Sequence, residues 1–358
     1  MEKSKSMARW QRVTETIGRN LFSGPLDGLL TVGALILLVY AVPPLLDWFF
    51  FEATFAGTTR GDCIGDGACW VSVLVRLPYY LYGDYPVSER WRIHLFLFLW
   101  LAGAGAAYWR LTKKSLLLIG GLILLPLLSF GLLYGIPPIL PVVETERWGG
   151  LFLTLIIAGV GIGCSLPLGV LLALARRSHL PMVRVLAVSF IEFWRGVPLI
   201  TVLFMTSFMF PLFLPEGVTF DKLLRCLVGV TLFSSAYMAE VVRGGLQALP
   251  KGQYEAALAL GLNYRKMMML VILPQALKKV IPGIVNTFIG LFKDTTLVST
   301  VAMFDLLGTV QKSSTDPDWL GYSTEGYFFA GAVFWFFCFT MSRYSKNLEK
   351  KLSTEARG

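Results

Sequence analysis

Residues 149–175 read GGLFLTLIIAGVGIGCSLPLGVLLALA, a run of 27 residues without one charge, closed by Arg176 and Arg177. An α-helix rises 1.5 Å per residue, so about 20 apolar residues span the ~30 Å hydrocarbon layer of a bilayer. A soluble core helix needs only one apolar stripe, but this run is apolar on every side. The stretch therefore predicts a membrane helix, and the rest of the chain is read outward from it.

Seven further segments have the same character. They run Asp27 to Leu46, Ile93 to Trp109, Ser115 to Tyr134, Val185 to Leu214, Leu223 to Val242, Val280 to Leu307 and Gly326 to Ser342. The whole chain of 358 residues is 55% hydrophobic and only 15% charged, with mean hydropathy +0.63. Soluble domains carry about 25% charge, so the fold class expected is an all-α integral membrane protein with eight spans. The first segment carries Val39-Tyr40-Ala41, which resembles a signal-peptide cleavage site. Its polar leader and apolar run are both too long for one, so a retained anchor is expected.

Charge sets the orientation. Pieces 1–26, 110–114, 176–184, 243–279 and 343–358 hold 22 of the 32 Lys and Arg but 5 of the 23 Asp and Glu; the alternate loops hold 7 basic and 13 acidic residues. The positive-inside rule then puts both termini in the cytoplasm. The net charge of +9 belongs to this pattern. No basic stretch is interleaved with aromatics, so membrane lipid is the expected partner and nucleic acid is not. Cys63 and Cys69 fall in the first external loop, where an oxidising compartment would allow a disulfide. Their spacing is a poor metal site, and no metal is expected.

From Glu144 onward the apolar segments contain charges, which are costly in lipid and mark pathways or internal pairs. Glu192 and Arg195 are three apart, as are Glu240 and Arg243, so each pair shares a helix face. Both fit equally a pair at the membrane edge. Lys293 and Asp294 lie deeper and cannot neutralise each other simply, because neighbouring residues point apart. Asn286, Gly290, Lys293 and Asp294 form a polar stripe, which inside a membrane bundle faces a cavity or pathway.

Between the sixth and seventh segments Pro250 and Gly252 punctuate the start of a short helix, Glu255-Ala256-Ala257-Leu258-Ala259-Leu260 forms it, and Gly261 suits its C-terminal cap. An Ala-faced helix in an inner loop fits the groove of a soluble partner. There is no Walker A pattern, His-Glu-x-x-His or Gly-x-Ser-x-Gly, and the two histidines, His94 and His179, stand at interfaces. No enzyme activity and no cofactor are expected.

Glu255-Ala256-Ala257, Gly261 and Val271-Ile272-Leu273-Pro274 together resemble the EAA loop of membrane subunits of bacterial ATP-binding-cassette importers, with Val271 in place of Ile. Glu192 to Leu199, Tyr237 to Gly245 and Leu291 to Leu297 resemble stretches of the polar-amino-acid branch. The resemblance covers about residues 146–345. The three-helix extension, 27–145, resembles the larger membrane subunit of general L-amino-acid importers; 1–26 and 346–358 would be cytoplasmic tails. The resemblance implies a type I importer permease core of five helices and a heterodimer with a second homologous permease subunit. It also implies two copies of an ATP-binding subunit gripped by Glu255, Ala256, Ala257, Gly261 and Pro274, and a periplasmic amino-acid-binding protein. It implies an amino-acid site near Lys293, Asp294 and Thr295, with Asn286 and Phe288 up to two turns earlier. The competing class is an ion-driven secondary amino-acid transporter titrating Glu240 or Asp294.

Overall fold

Helix α4 (Gly150–Arg176) forms over the charge-free run and is the axis of the fold. The structure is a computed structural model and describes residues 21, 23–110, 126 and 128–355. Two compact units divide the chain, Met1–Val75 and Arg76–Gly358.

In the first unit, α1 (Pro25–Leu46) starts behind Gly24 with Pro25 at its first turn, where a missing N–H costs nothing. None of its residues is buried, as suits a helix whose solvent is hydrocarbon. A loop follows in which Cys63 and Cys69 form a disulfide, Cα atoms 5.7 Å apart. The backbone N–H groups of Thr58 and Thr59 both donate to Asp62 at 2.8 Å and hold its exposed carboxyl below the ordinary aspartate value.

Helix α2 (Trp70–Tyr82) leads into the second unit, followed by α3 (Trp91–Arg110) at the place of the second predicted segment. The third, Ser115 to Tyr134, lies largely outside the described residues; 128–134 are helical. Next come α4, α5 (Pro181–Gly196), α6 (Leu199–Phe204) and α7 (Lys222–Gln247). The chain continues through α8 (Lys251–Ala259), α9 (Leu273–Lys279), α10 (Ile281–Asp294), α11 (Leu306–Ser313) and α12 (Ser323–Glu355). By length and composition Pro25–Phe51, Gly150–Arg176 and Lys222–Gln247 can each cross a bilayer, and two bent helix pairs raise the number to five among the described residues.

Those bends correct the sequence reading. The expected fifth segment, Val185 to Leu214, is two helical stretches bent by 102°. Pro198 removes an N–H and drives Val197 into extended backbone, φ −107° and ψ 133°. The seventh, Val280 to Leu307, starts at a second bend, of 64°, where α9 meets α10 at Val280. Helix α10 then tightens into a 3₁₀ turn (Thr295–Val301) that ends at Ala302, φ +55°.

Helices α4 and α7 pack along their lengths, with two apolar clusters between and around them. Near the Gly150 end, Phe152, Leu153 and Ile157 of α4 join Val230 of α7 and Leu291 of α10. Near the Arg176 end, Ala173 joins Ile191, Met238, Val242, Ile272 and Ala276. Close approach depends on small residues, as membrane helices require. A Cβ on Gly245 would stand 2.6 Å from the carbonyl oxygen of Ala276, which is backbone and cannot step aside. Gly245→Ala should therefore destabilise the α7–α9 contact by about 1–3 kcal/mol. At Gly244 a Cβ meets nothing within 4 Å, so Gly244→Ala should hold or gain stability. Thermal melts of the two detergent-solubilised variants test this, and equal melts would refute it.

The Gly150 end is fastened by polar ties. Asp305 caps α11 by accepting from Gly308 N–H at 2.9 Å, and Leu306 N–H donates to the Thr154 hydroxyl at 3.0 Å. Residues 76–84 add to this knot. Arg76 pairs with Asp316 at 2.7 Å and lies over the Trp319 ring at 5.8 Å. The Tyr80 hydroxyl bonds the Ser313 hydroxyl at 2.9 Å, and Lys312 pairs with Asp84 at 3.3 Å. The Asp318 backbone N–H, helped by Arg76, holds the Asp316 carboxyl below its ordinary value.

Candidate functional site

The loop between α7 and α9 builds a projecting knob. Pro250 precedes α8, and the helix ends in a Schellman cap: Gly261 N–H donates to Leu258 C=O at 2.9 Å and Leu262 N–H to Ala257 C=O at 3.2 Å. That geometry needs φ +73° at Gly261, which a side chain resists. The cap also fixes which residues face outward. Ala257 is 2% exposed and packs into the second apolar cluster. Glu255, Ala256, Leu258, Ala259 and Leu260 are open. Ala257, expected on the gripping face, is instead the residue that seats the knob. Asn263 caps the next turn through Lys266 N–H at 3.0 Å. Met267, Met268 and Ile272 then return the chain to the core, and exposed Pro274 lies in the first turn of α9.

The charged pairs read from the sequence merge into one network. Glu240 of α7, its side chain 15% exposed, accepts from Arg176 at the end of α4 at 2.6 Å and from Arg243 at 2.6 Å. Arg195 of α5 stands 3.9 Å from the same carboxylate. Glu192 does not pair with Arg195, as the i,i+3 spacing suggested, but accepts from Arg176 at 3.2 Å. The reason is geometric. Glu240 is the most enclosed anion of the group, so the arginines of three helices converge on it, whereas Glu192 is half exposed. Arg176 is the residue the sequence reading missed. It stands one position beyond the charge-free run and was counted with the loop, although an Arg doublet closing such a run was the available signal.

Helix α10 divides the candidate substrate residues. Asn286 and Lys293, seven apart, fall on one helical face, and both are exposed; Gly290 lies between them and Asp294 at the edge. Phe288 and Thr295 are turned to the opposite side. Phe288 packs against the second apolar cluster. Thr295 is 1% exposed and its hydroxyl donates to Phe292 C=O at 2.8 Å. The structure thus brings Asn286, Lys293 and Asp294 together and removes Phe288 and Thr295 from their face. Among the described residues no ion pair joins Lys293 to Asp294, and no cluster is suited to a metal ion.

Broken apolar helices, a polar stripe within them and a capped knob between them define a membrane transport component. The chain belongs to the family described as "Binding-protein-dependent transport system inner membrane component", which matches residues 165–354. It is 56% identical over 339 residues to the "Inner membrane amino-acid ABC transporter permease protein YhdY" of Escherichia coli (strain K12), covering 94% of this chain and 92% of that protein. It is 40% identical to the "Glutamate/glutamine/aspartate/asparagine transport system permease protein BztC" of Rhodobacter capsulatus, covering 98% and 94%. Among solved structures it is similar to a chain from "Crystal structure of an amino acid ABC transporter with histidines". That match has 29% identity and TM-score 0.50, and covers 56% of this chain and 92% of that one. Membership of a binding-protein-dependent family decides against the ion-driven alternative.

Proposed function

We propose that this chain is the membrane-spanning subunit of an ATP-driven amino-acid importer. Residues 146–345 form the permease domain and 27–145 an added three-helix module, with both termini in the cytoplasm of a bacterial cell. It pairs with a second, homologous permease subunit, takes two copies of an ATP-binding subunit on its inner face, and receives cargo from a periplasmic binding protein. The observation that carries the reading is the capped knob. A nine-residue helix is too short to stand alone, and its seated Ala257 and open Leu258 and Leu260 suit it to transmit a push from a soluble motor. The pathway residues are Asn286, Lys293 and Asp294: the ammonium of Lys293 answers the amino-acid carboxylate, and the Asp294 carboxylate answers the amino group.

Reconstitution with an ATP-binding subunit, a second permease subunit and a binding protein tests this. Labelled amino acid should enter proteoliposomes only with ATP. Hydrogen bonds to charged groups contribute about 1.5–3 kcal/mol, so Lys293→Ala or Asp294→Ala should weaken apparent substrate affinity roughly 10- to 150-fold. Wild-type affinity in both variants would remove these residues from the site, and uptake independent of ATP would remove the motor.

A further inference from the structure

The knob is tied to the helix bundle through a contact that no motif describes. Arg177, the residue that ends α4, donates from Nη1 to the Tyr254 hydroxyl of α8 at 3.0 Å, and its guanidinium lies 5.5 Å from the centre of the Tyr254 ring. The Tyr254 hydroxyl in turn donates to Leu246 C=O at 3.4 Å. Arg177 also reaches that carbonyl, at 3.5 Å. Gln275 of α9 donates to Gln253, the neighbour of Tyr254, at 3.0 Å. Side chains of α9 and of the end of α4 therefore both hold the knob.

The neighbour of Arg177 completes the path. Arg176 bridges Glu240 of α7 and Glu192 of α5 through a single nitrogen, at 2.6 and 3.2 Å. Consecutive residues of a helix end point about 100° apart, so one arginine faces the knob and the other the bundle. A displacement of α8 that pulls on Tyr254 is felt at the end of α4, and from there by α5 and α7 through Arg176. We propose that the Arg176–Arg177 doublet is the positioning element that transmits motion of α8 to the pathway helices. This inference rests on the importer reading above. The exposed tie is weak in itself, so removing it leaves the fold intact while cutting the path.

The test uses the assembled complex in proteoliposomes, with labelled amino acid imported per ATP hydrolysed as the readout. Arg177→Met should lower that ratio at least about tenfold, with hydrolysis itself within about twofold of wild type. Arg177→Lys, which keeps a cation over the ring, should recover part of it. Tyr254→Phe removes the hydroxyl alone and should lower the ratio about threefold. Because the two residues act in series, Arg177→Met combined with Tyr254→Phe should be no worse than Arg177→Met. An unchanged ratio in Arg177→Met, a parallel fall of import and hydrolysis, or losses that multiply in the double variant would overturn the proposal. If Arg177→Met does not assemble, an unchanged ratio in Tyr254→Phe overturns it. Absence of ATP-dependent import in the wild-type complex would instead overturn the importer reading on which it stands.

Discussion

Glu240→Gln should cost more stability than any other single change to the charge network. The substitution keeps volume and leaves an amide in place of a carboxylate that lies within 4 Å of three arginines. Those arginines come from α4, α5 and α7, and among the described residues only Glu192 would still pair with one of them. Breaking a pair whose anion is largely enclosed costs about 3 kcal/mol, because the stranded cations lose their partner without regaining full hydration. Glu192→Gln is the matched control. Its side chain is 54% exposed and its ion pair is with Arg176, at 3.2 Å, so the loss should stay under about 1 kcal/mol. Thermal melts of the two purified variants decide the matter: a clear drop for Glu240→Gln and little change for Glu192→Gln is expected. Equal drops would mean that the network has no centre. The network also joins the three helices at the end of the bundle where the knob attaches, so Glu240→Gln should lower ATP-driven uptake as well as the melting temperature.

The charge-free run 149–175 predicts α4 to within a residue of each end, because hydropathy and helix length are local quantities. Gly261 is legible for the same reason: its place at the end of a strong helix former suits a left-handed cap, and the structure has one. What local pattern does not contain is where a helix breaks under tertiary load. Pro198 follows a charged turn inside an otherwise continuous apolar stretch, and hydropathy smooths over the 102° bend it makes. Charge partners are likewise non-local. Spacing alone offers Glu192 to Arg195, yet α4 delivers Arg176 from 64 residues before Glu240, and burial decides the competition. The site residues show both effects. Asn286 and Lys293 share a face by simple periodicity, whereas Phe288 and Thr295 enter only through the family resemblance and lie outside the periodic stripe, as the helix turns them to the opposite side. Ala257 was placed outward because alanines make a smooth docking face; the chain needed one of them inward to seat the helix.

Gly261→Val should abolish ATP-driven uptake while the protein still inserts and folds. A Cβ at this position meets nothing within 4 Å, so the harm is conformational. The backbone stands at φ +73°, a region that costs an ordinary L-residue about 1–2 kcal/mol and a β-branched one more. Against the stability of the whole bundle that is tolerable. Against a helix of nine residues, which has little stability of its own, it is decisive. The chain relieves the strain by rotating out of the left-handed region, which breaks the bonds from Gly261 to Leu258 and from Leu262 to Ala257. Ala257 then leaves its seat, and a push on the open face moves a frayed loop instead of the bundle. The series should rank by tolerance of the left-handed conformation: Gly261→Asn near wild type, Gly261→Ala intermediate, Gly261→Val inactive. Uptake into proteoliposomes by complexes matched for assembly is the measurement. Full activity of the valine variant would show that the cap does not transmit force. Equal loss in all three would point to a direct contact at Gly261, since side-chain bulk and backbone preference rank these residues differently.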